Sequence, residues 1–334
     1  MKRFVKLIAL FLCIAAVFNL CSCQKNSSQT PVSVSSKKYN IAVISAESGS
    51  GEFEMFCSGV TTEFNNIGYN VDKFAAQKDK DYLETVLEES LKGGYVGVIL
   101  YDLNDYAEDF AKKAKEAGVS CVAFAKSDYT SDLMPVVRCN QAEMTRLSVD
   151  ELTKISNFPA SDGIVKVWSN KDNAVNMARS SEFDRYTASK GIKTAANLYE
   201  EGFSVKSGLS RTTKTALTNL PQTGFNYIWA VDDDMAAAVS EYLSKESINN
   251  AAVSCVGITQ KNILKMYKYE LYWRAASAVS YSASGRECAK NLSAQIENKE
   301  TESAFDMNAV VLHSSSLNEN STIEIVEKSN ETEN

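Results

Sequence analysis

Residues 44–56, ISAESGSGEFEMF, follow the apolar run Ile41-Ala42-Val43 and are the first place where residue types and spacing could hold a ligand. A strand that empties through serines and glycines into a helix presents unpaired helix N–H groups, which is the chemistry of anion binding. A dinucleotide turn would read G-x-G-x-x-G, with an acid about 20 residues further on. Here Gly49-Ser50-Gly51 leads into Glu52, Phe53 and Glu54. The third glycine is missing, and two carboxylates at the helix start repel the pyrophosphate that needs the same N–H groups. The turn therefore argues against a resident cofactor, and none is expected.

Other reaction chemistries find little support. The single histidine, His313, lies in VVLHSSSLN near the C-terminus, and the chain has no G-x-S-x-G, H-E-x-x-H or Walker loop. Paired acids of the glycosidase kind carry no local signature, so the sequence leaves that chemistry open. Beyond the leader cysteines, Cys57, Cys121, Cys139, Cys255 and Cys288 are widely spaced without any C-x-x-C. That pattern indicates neither a disulfide framework nor a zinc site, and these thiols read as small buried apolar residues. The formal charge is −7 with no basic stripe, which argues against a nucleic-acid partner. A binding protein, not an enzyme, is the expectation.

The elements that must position such a site alternate in kind. Short β-rich runs fall at Ile41–Ile44, Val71–Phe74, Val96–Tyr101 and Ser120–Phe124. Between them, Phe53, Phe56, Val60, Phe64 and Ile67 recur at helical steps, and later helical runs close at Gly93-Gly94 and Gly118. A second set has strands at Ile164–Trp168, Thr194–Leu198, Tyr227–Val231 and Ala252–Gly257, with helices between them. Two α/β units in series predict two similar Rossmann-like lobes with parallel sheets, and a ligand between them at the strand carboxyl ends.

At the N-terminus, Lys2, Arg3 and Lys6 precede the uncharged stretch Leu7–Phe18, the pattern of a secretion signal and too short for a spanning helix. Leu20-Cys21-Ser22-Cys23 resembles the bacterial lipobox, with Cys23 the better lipidation position because Ser22 supplies the small residue before the cut. An ordinary cleaved leader is the alternative. A signal peptide over 1–22 and a polar tether over 23–38 are expected, and lipid on Cys23 would hold the protein to a membrane in the cell envelope.

From Tyr39 to about Asn318 the chain resembles the type 1 periplasmic solute-binding proteins, in particular the ribose-like sugar-binding group. FEMFCSGVTTEFNNIGYNV, GGYVGVILYDLNDYAEDFAKKAKEAGVSCVAF, YIWAVDDDMAAAV and SCVGIT carry the resemblance. It implies a three-strand hinge, an N-terminal lobe of 39–137 plus 281–305, and a C-terminal lobe of 138–280 plus 306–328, with a frayed tail at 329–334. It also implies a monomer that captures a small polar solute for an ABC permease; a membrane sensor kinase or chemoreceptor is the alternative partner.

The same resemblance implies the site. Phe53 falls on one of the family's two ring-stacking aromatics, with Ser50 just ahead of it, and Phe203 falls on the opposite wall. Asp102, Asp105 and Asp232 occupy polar ligand positions, while Asp233 and Asp234 suit a helix cap. Asn140 completes the implied set. Several positions depart from the family pattern: Ala125-Lys126 replaces an Asp-Arg pair, Thr259 an aspartate, Val279-Ser280 a Gln-Asp pair, and only Arg179 remains of an Arg-x-Arg segment. So many lost partners argue for a changed solute. Glu47, Glu52, Asp102, Asp105 and Asp232 would favour an amino sugar or another cationic or hydroxyl-rich molecule.

Overall fold

The computed structural model describes residues 39–46, 51–76, 79–155, 163–169 and 171–326. The leader, the tether and Cys23 lie outside the described residues, as do Glu47 and Ser50.

The first sheet is built from β1 (Asn40–Ser45), β2 (Asn70–Ala75), β3 (Tyr95–Tyr101), β4 (Ser120–Ala125), β5 (Val136–Cys139) and β11 (Ala304–Met307). Its order is β11-β5-β4-β3-β1-β2, and every pairing is parallel. The second sheet holds β6 (Ile164–Ser169), β7 (Thr194–Glu200), β8 (Asn226–Ala230), β9 (Ala251–Val256), β10 (Trp273–Val279) and β12 (Ala309–His313), in the order β12-β10-β9-β8-β6-β7. There β12 runs antiparallel to β10, an edge strand added to an otherwise parallel sheet. The two sheets thus form the two α/β lobes expected from the sequence. Their central strands read as continuous apolar runs because helices cover both faces: Ile41, Ala42, Val43 and Ile44 are all fully buried.

The helices are α1 (Gly51–Asn65), α2 (Lys80–Lys92), α3 (Asn104–Ala117), α4 (Gln141–Lys154), α5 (Ala174–Ser189), α6 (Arg211–Thr218), α7 (Asp233–Lys245), α8 (Gln260–Lys268) and α9 (Tyr281–Ile296). The chain passes between the sheets after β5, after β10 and after β11. The first sheet therefore keeps Arg138, Cys139, Asp306 and Met307, which the sequence reading placed beyond the crossings. After the first crossing, α4 is fastened to the second sheet: the Trp229 indole N–H donates to Ser148 Oγ at 2.8 Å, and Ser254 Oγ donates to the Ser148 carbonyl at 2.6 Å. After the second crossing, α9 returns to pack on α1 at very close range. A Cβ added to Gly59 would stand 2.0 Å from the Ser282 carbonyl oxygen, and one on Gly285 2.1 Å from that of Phe56. Only glycine lets these backbones approach so closely.

The five cysteines of the described residues are free and buried, as their spacing suggested, and burial pushes the Cys57 and Cys139 thiols up to about 12. Residues 324–326 form a helical turn. Ile323 and Val326 are buried there against the second lobe.

Candidate functional site

The carboxyl ends of both sheets open onto one cavity of about 760 Å³. The first lobe contributes Ala46 after β1, Asp102–Tyr106 after β3, and Lys126 and Ser127 after β4. The second contributes Asp172–Asn176 and Arg179 after β6, and Asp232–Asp234 after β8. This is where a parallel α/β sheet places its ligands, because the loops that leave the strand ends and the helix starts that follow them converge there.

Asp102 sits at a left-handed backbone position, φ 53°, directly after β3. Aspartate tolerates that region better than most residues. Two bonds hold it there: its N–H donates to the Phe124 carbonyl at 2.8 Å, and its Oδ1 accepts from the Lys126 N–H at 3.1 Å. The turns after β3 and β4 are thereby tied together. The Lys126 ammonium lies over the Tyr101 ring, 5.3 Å from its centroid.

Across the cavity, Asp232 caps α7: its Oδ1 accepts from the Met235 N–H at 2.8 Å, and its Oδ2 accepts from the Asn176 amide at 3.3 Å. Burial raises its carboxyl above the usual aspartate range, against the pull of the Met235 N–H and of the Arg179 guanidinium. Arg179 is itself pushed down by burial. Its Nε donates to Gln141 Oε1 at 2.6 Å, and its Nη1 donates to the Val231 and Val256 carbonyls at 3.1 and 3.2 Å. The guanidinium thus satisfies the carbonyl just past β8 and the last carbonyl of β9. Gln141, only 1% exposed, completes the link by donating its Nε2 to the Lys126 carbonyl of the other lobe at 2.5 Å. A continuous chain of bonds therefore runs beneath the cavity from Asp102 through Lys126, Gln141 and Arg179 to the strand end that carries Asp232.

The cavity wall carries six carboxylates, on Asp102, Asp105, Asp172, Asp232, Asp233 and Asp234, against the two cations Lys126 and Arg179. Two of the acids are already bonded to α8. Asp233 accepts from the Thr259 N–H at 2.9 Å and from the Asn262 amide at 2.7 Å, and Asp234 pairs with Lys261 at 2.8 Å.

Of the residues expected at the site, Asp102, Asp105, Lys126, Arg179 and Asp232 line this cavity. The two aromatic walls do not. Phe53 is 1% exposed and meets the Tyr101 ring edge-on at 5.1 Å inside the first lobe, because α1 turns that face onto the sheet. Phe203 packs on the apolar cluster of the second lobe and lines no part of the cavity. Asn140, Thr259 and Ser280 also stand off it. Asn140 caps α4 by accepting from the Glu143 N–H, Ser280 caps α9 by accepting from the Ala283 N–H, and the Thr259 hydroxyl is drawn to Asp233. Asp232, expected at the site rather than as a cap, lines the cavity and also caps α7.

The sequence reading missed Gln141, Asn104, Asp172, Asn173 and Asn176. The last three follow β6, so the rule that strand ends line the cleft would have found them. Gln141 had no such signal, since its role comes from partners 15 and 38 residues away.

By sequence, the chain matches no family model and no curated protein. Many solved structures share its fold. A sugar ABC transporter protein from Yersinia enterocolitica is 19% identical, with TM-score 0.62, over 87% of this chain and 88% of that one. A carbohydrate transporter solute-binding protein from Agrobacterium radiobacter, in complex with D-arabinose, is 16% identical, with TM-score 0.63, over 88% and 99%. The trehalose repressor from Escherichia coli is 14% identical, with TM-score 0.63, over 82% and 100%. At these identities the likeness is one of fold: the chain has the two-lobed architecture of the type 1 periplasmic binding proteins.

Proposed function

Taking the type 1 periplasmic binding-protein fold as the scaffold, we propose that this chain is an extracytoplasmic, lipid-anchored solute-binding protein that captures a small hydroxyl-rich ligand between its lobes and delivers it to an ABC importer. The observation that carries the reading is the cavity between the two sheets, walled by hydrogen-bonding side chains from four strand ends. The fold also serves repressors, but a formal charge of −7 suits a solute-binding role better than a nucleic-acid partner.

The solute is a sugar or sugar-like molecule with a cationic group, an amino sugar being the simplest example. Six carboxylates face two cations in the wall, and the Arg179 guanidinium already bonds to Gln141 and two carbonyls. Carboxylates accept well from hydroxyls and better from ammonium groups, since charge-assisted hydrogen bonds are about twice as strong as neutral ones. Without stacked aromatic walls, such polar contacts provide most of the recognition.

Mass spectrometry of small molecules released on denaturing the purified protein tests this, together with thermal shift against neutral sugars and amino sugars. A ligand at 100 times its Kd adds about 2.7 kcal/mol. Stabilisation by amino sugars above their neutral parents is expected. No released solute and no shift with either class would refute the reading.

A further inference from the structure

The two lobes are joined by a further hydrogen bond, outside the chain that runs from Asp102 to Arg179. Glu52, in the first turn of α1, reaches across from the first lobe, and its Oε1 accepts from the backbone N–H of Gln260 at 3.0 Å. Gln260 is the first residue of α8 in the second lobe. Glu52 is 6% exposed, whereas Glu54, two residues on, faces outward and pairs with Lys73 on its own lobe.

The contact fills a need that α8 cannot meet locally. A helix start leaves N–H groups unpaired, and the residue before the first turn usually supplies an acceptor. Thr259 occupies that position but makes no capping bond, because its hydroxyl is held by Asp233. The acceptor comes instead from the other lobe, and a carboxylate at a helix N-terminus also gains from the helix dipole. Two further contacts surround it. A Cβ on Gly51 would lie 3.0 Å from Gln260 Cβ, so the lobes meet here without a gap, and Met55 of α1 packs on the apolar cluster of the second lobe. On the far side, Gln260 Oε1 accepts from the Ile323 N–H at 2.8 Å, which anchors the C-terminal turn to the same residue.

We propose that Glu52 is a closure latch: its carboxylate caps α8 of the opposite lobe, so the closed arrangement is favoured by a protein–protein bond in addition to any bond to solute. The inference rests on the two-lobed capture reading and sets how that site is regulated. Opening leaves the α8 start uncapped and returns Glu52 to water. The fraction of protein already closed multiplies the intrinsic affinity, so the latch tightens solute binding without touching the solute.

The test needs no solute. Small-angle scattering gives the radius of gyration, and hydrogen exchange gives the rate at the Gln260 amide, on protein stripped of small molecules. For Glu52→Ala, a larger radius and an exchange rate about tenfold faster or more are expected, since a hydrogen bond to a charged group contributes about 1.5–3 kcal/mol. Faster exchange at an unchanged radius would show a local cap only and overturn the latch, as would no change in either. If Glu52→Ala does not fold, a second pair decides. Gln260→Pro removes the N–H at a first-turn position that tolerates proline, while Gln260→Ala keeps it and loses only the bond to Ile323. The latch requires the proline variant alone to open; equal behaviour of the two would overturn it. Failure here leaves solute capture standing, and failure to release any solute leaves the latch result readable.

Discussion

Replacing Gln141 with leucine should cost far more than a glutamine-to-apolar change at a buried position ordinarily would, because both ends of the amide are bonded to different lobes. Leucine leaves Arg179 Nε and the Lys126 carbonyl without their partners at 2.6 and 2.5 Å. One bond joins a charged donor and contributes about 1.5–3 kcal/mol; the other is neutral and contributes about 0.5–1.5 kcal/mol. The expected loss is therefore roughly 2–4.5 kcal/mol. At about 2 °C per kcal/mol for a chain of this size, calorimetry should show Tm falling by roughly 4–9 °C. Gln141→Glu keeps an acceptor for Arg179 but sets an anion against the Lys126 carbonyl, so it should recover part of the loss, not all. A double-mutant cycle with Arg179→Met isolates the pair, and a coupling of about 0.5–3 kcal/mol is expected. A Gln141→Leu protein within about 0.5 kcal/mol of the parent would refute the hydrogen-bonded chain through Gln141, and a cycle additive to about 0.5 kcal/mol would refute its bond to Arg179.

Asp232→Asn separates stability from binding. Burial raises the Asp232 carboxyl, so the native state holds that proton more tightly than the unfolded chain. Its contribution to stability falls as pH rises from the ordinary aspartate range through the raised value, and the deficit persists above it. Asparagine caps a helix as well as aspartate. The variant should accordingly be at least as stable as the parent at neutral pH by urea midpoint, with the difference vanishing below the ordinary aspartate range, while solute binding weakens. Gly285→Ala gains about 1 kcal/mol of helix propensity, yet its Cβ would stand 2.1 Å from the Phe56 carbonyl oxygen. Forcing α1 and α9 apart should reverse the sign and cost about 1–3 kcal/mol net, read from the denaturant midpoint.

How far the sequence could be read depended on whether a residue's role is set by its neighbours or by distant partners. Ile41–Ile44 and Val96–Tyr101 read as strands because continuous apolar runs bounded by turn residues carry that signal locally. β5 and β11, four residues each, were too short to register, and β10, WRAASAV, is rich in alanine and serine and has few β-branched residues. Its burial comes from β9 and β12 on either side. The site divides in the same way. Asp102, Lys126 and Asp232 were placed near strand ends by the resemblance, and strand ends line the cavity. Thr259 and Ser280 occupy equally apt positions, but a carboxylate 26 residues away takes the Thr259 hydroxyl, and Ser280 is used by the helix it begins. Gln141, Glu52 and Gln260 act through contacts between lobes that no local pattern reveals.

The position of Phe53 and the charge of the cavity have a joint consequence. A sugar ring held between two aromatic faces gains apolar contact that is indifferent to its charge. Here α1 carries Phe53 into the first lobe, where its ring meets Tyr101, and the Lys126 ammonium lies over the Tyr101 ring. Recognition must then come from oriented polar groups. Their bonds to neutral hydroxyls largely replace bonds to water and contribute about 0.5–1.5 kcal/mol each, whereas bonds to charged groups contribute about 1.5–3 kcal/mol. A wall of six acids and two cations draws that larger contribution chiefly from a ligand that brings positive charge. The same wall repels anionic ligands, so the buried position of Phe53 and the acidity of the cavity bear on the proposed solute in the same direction.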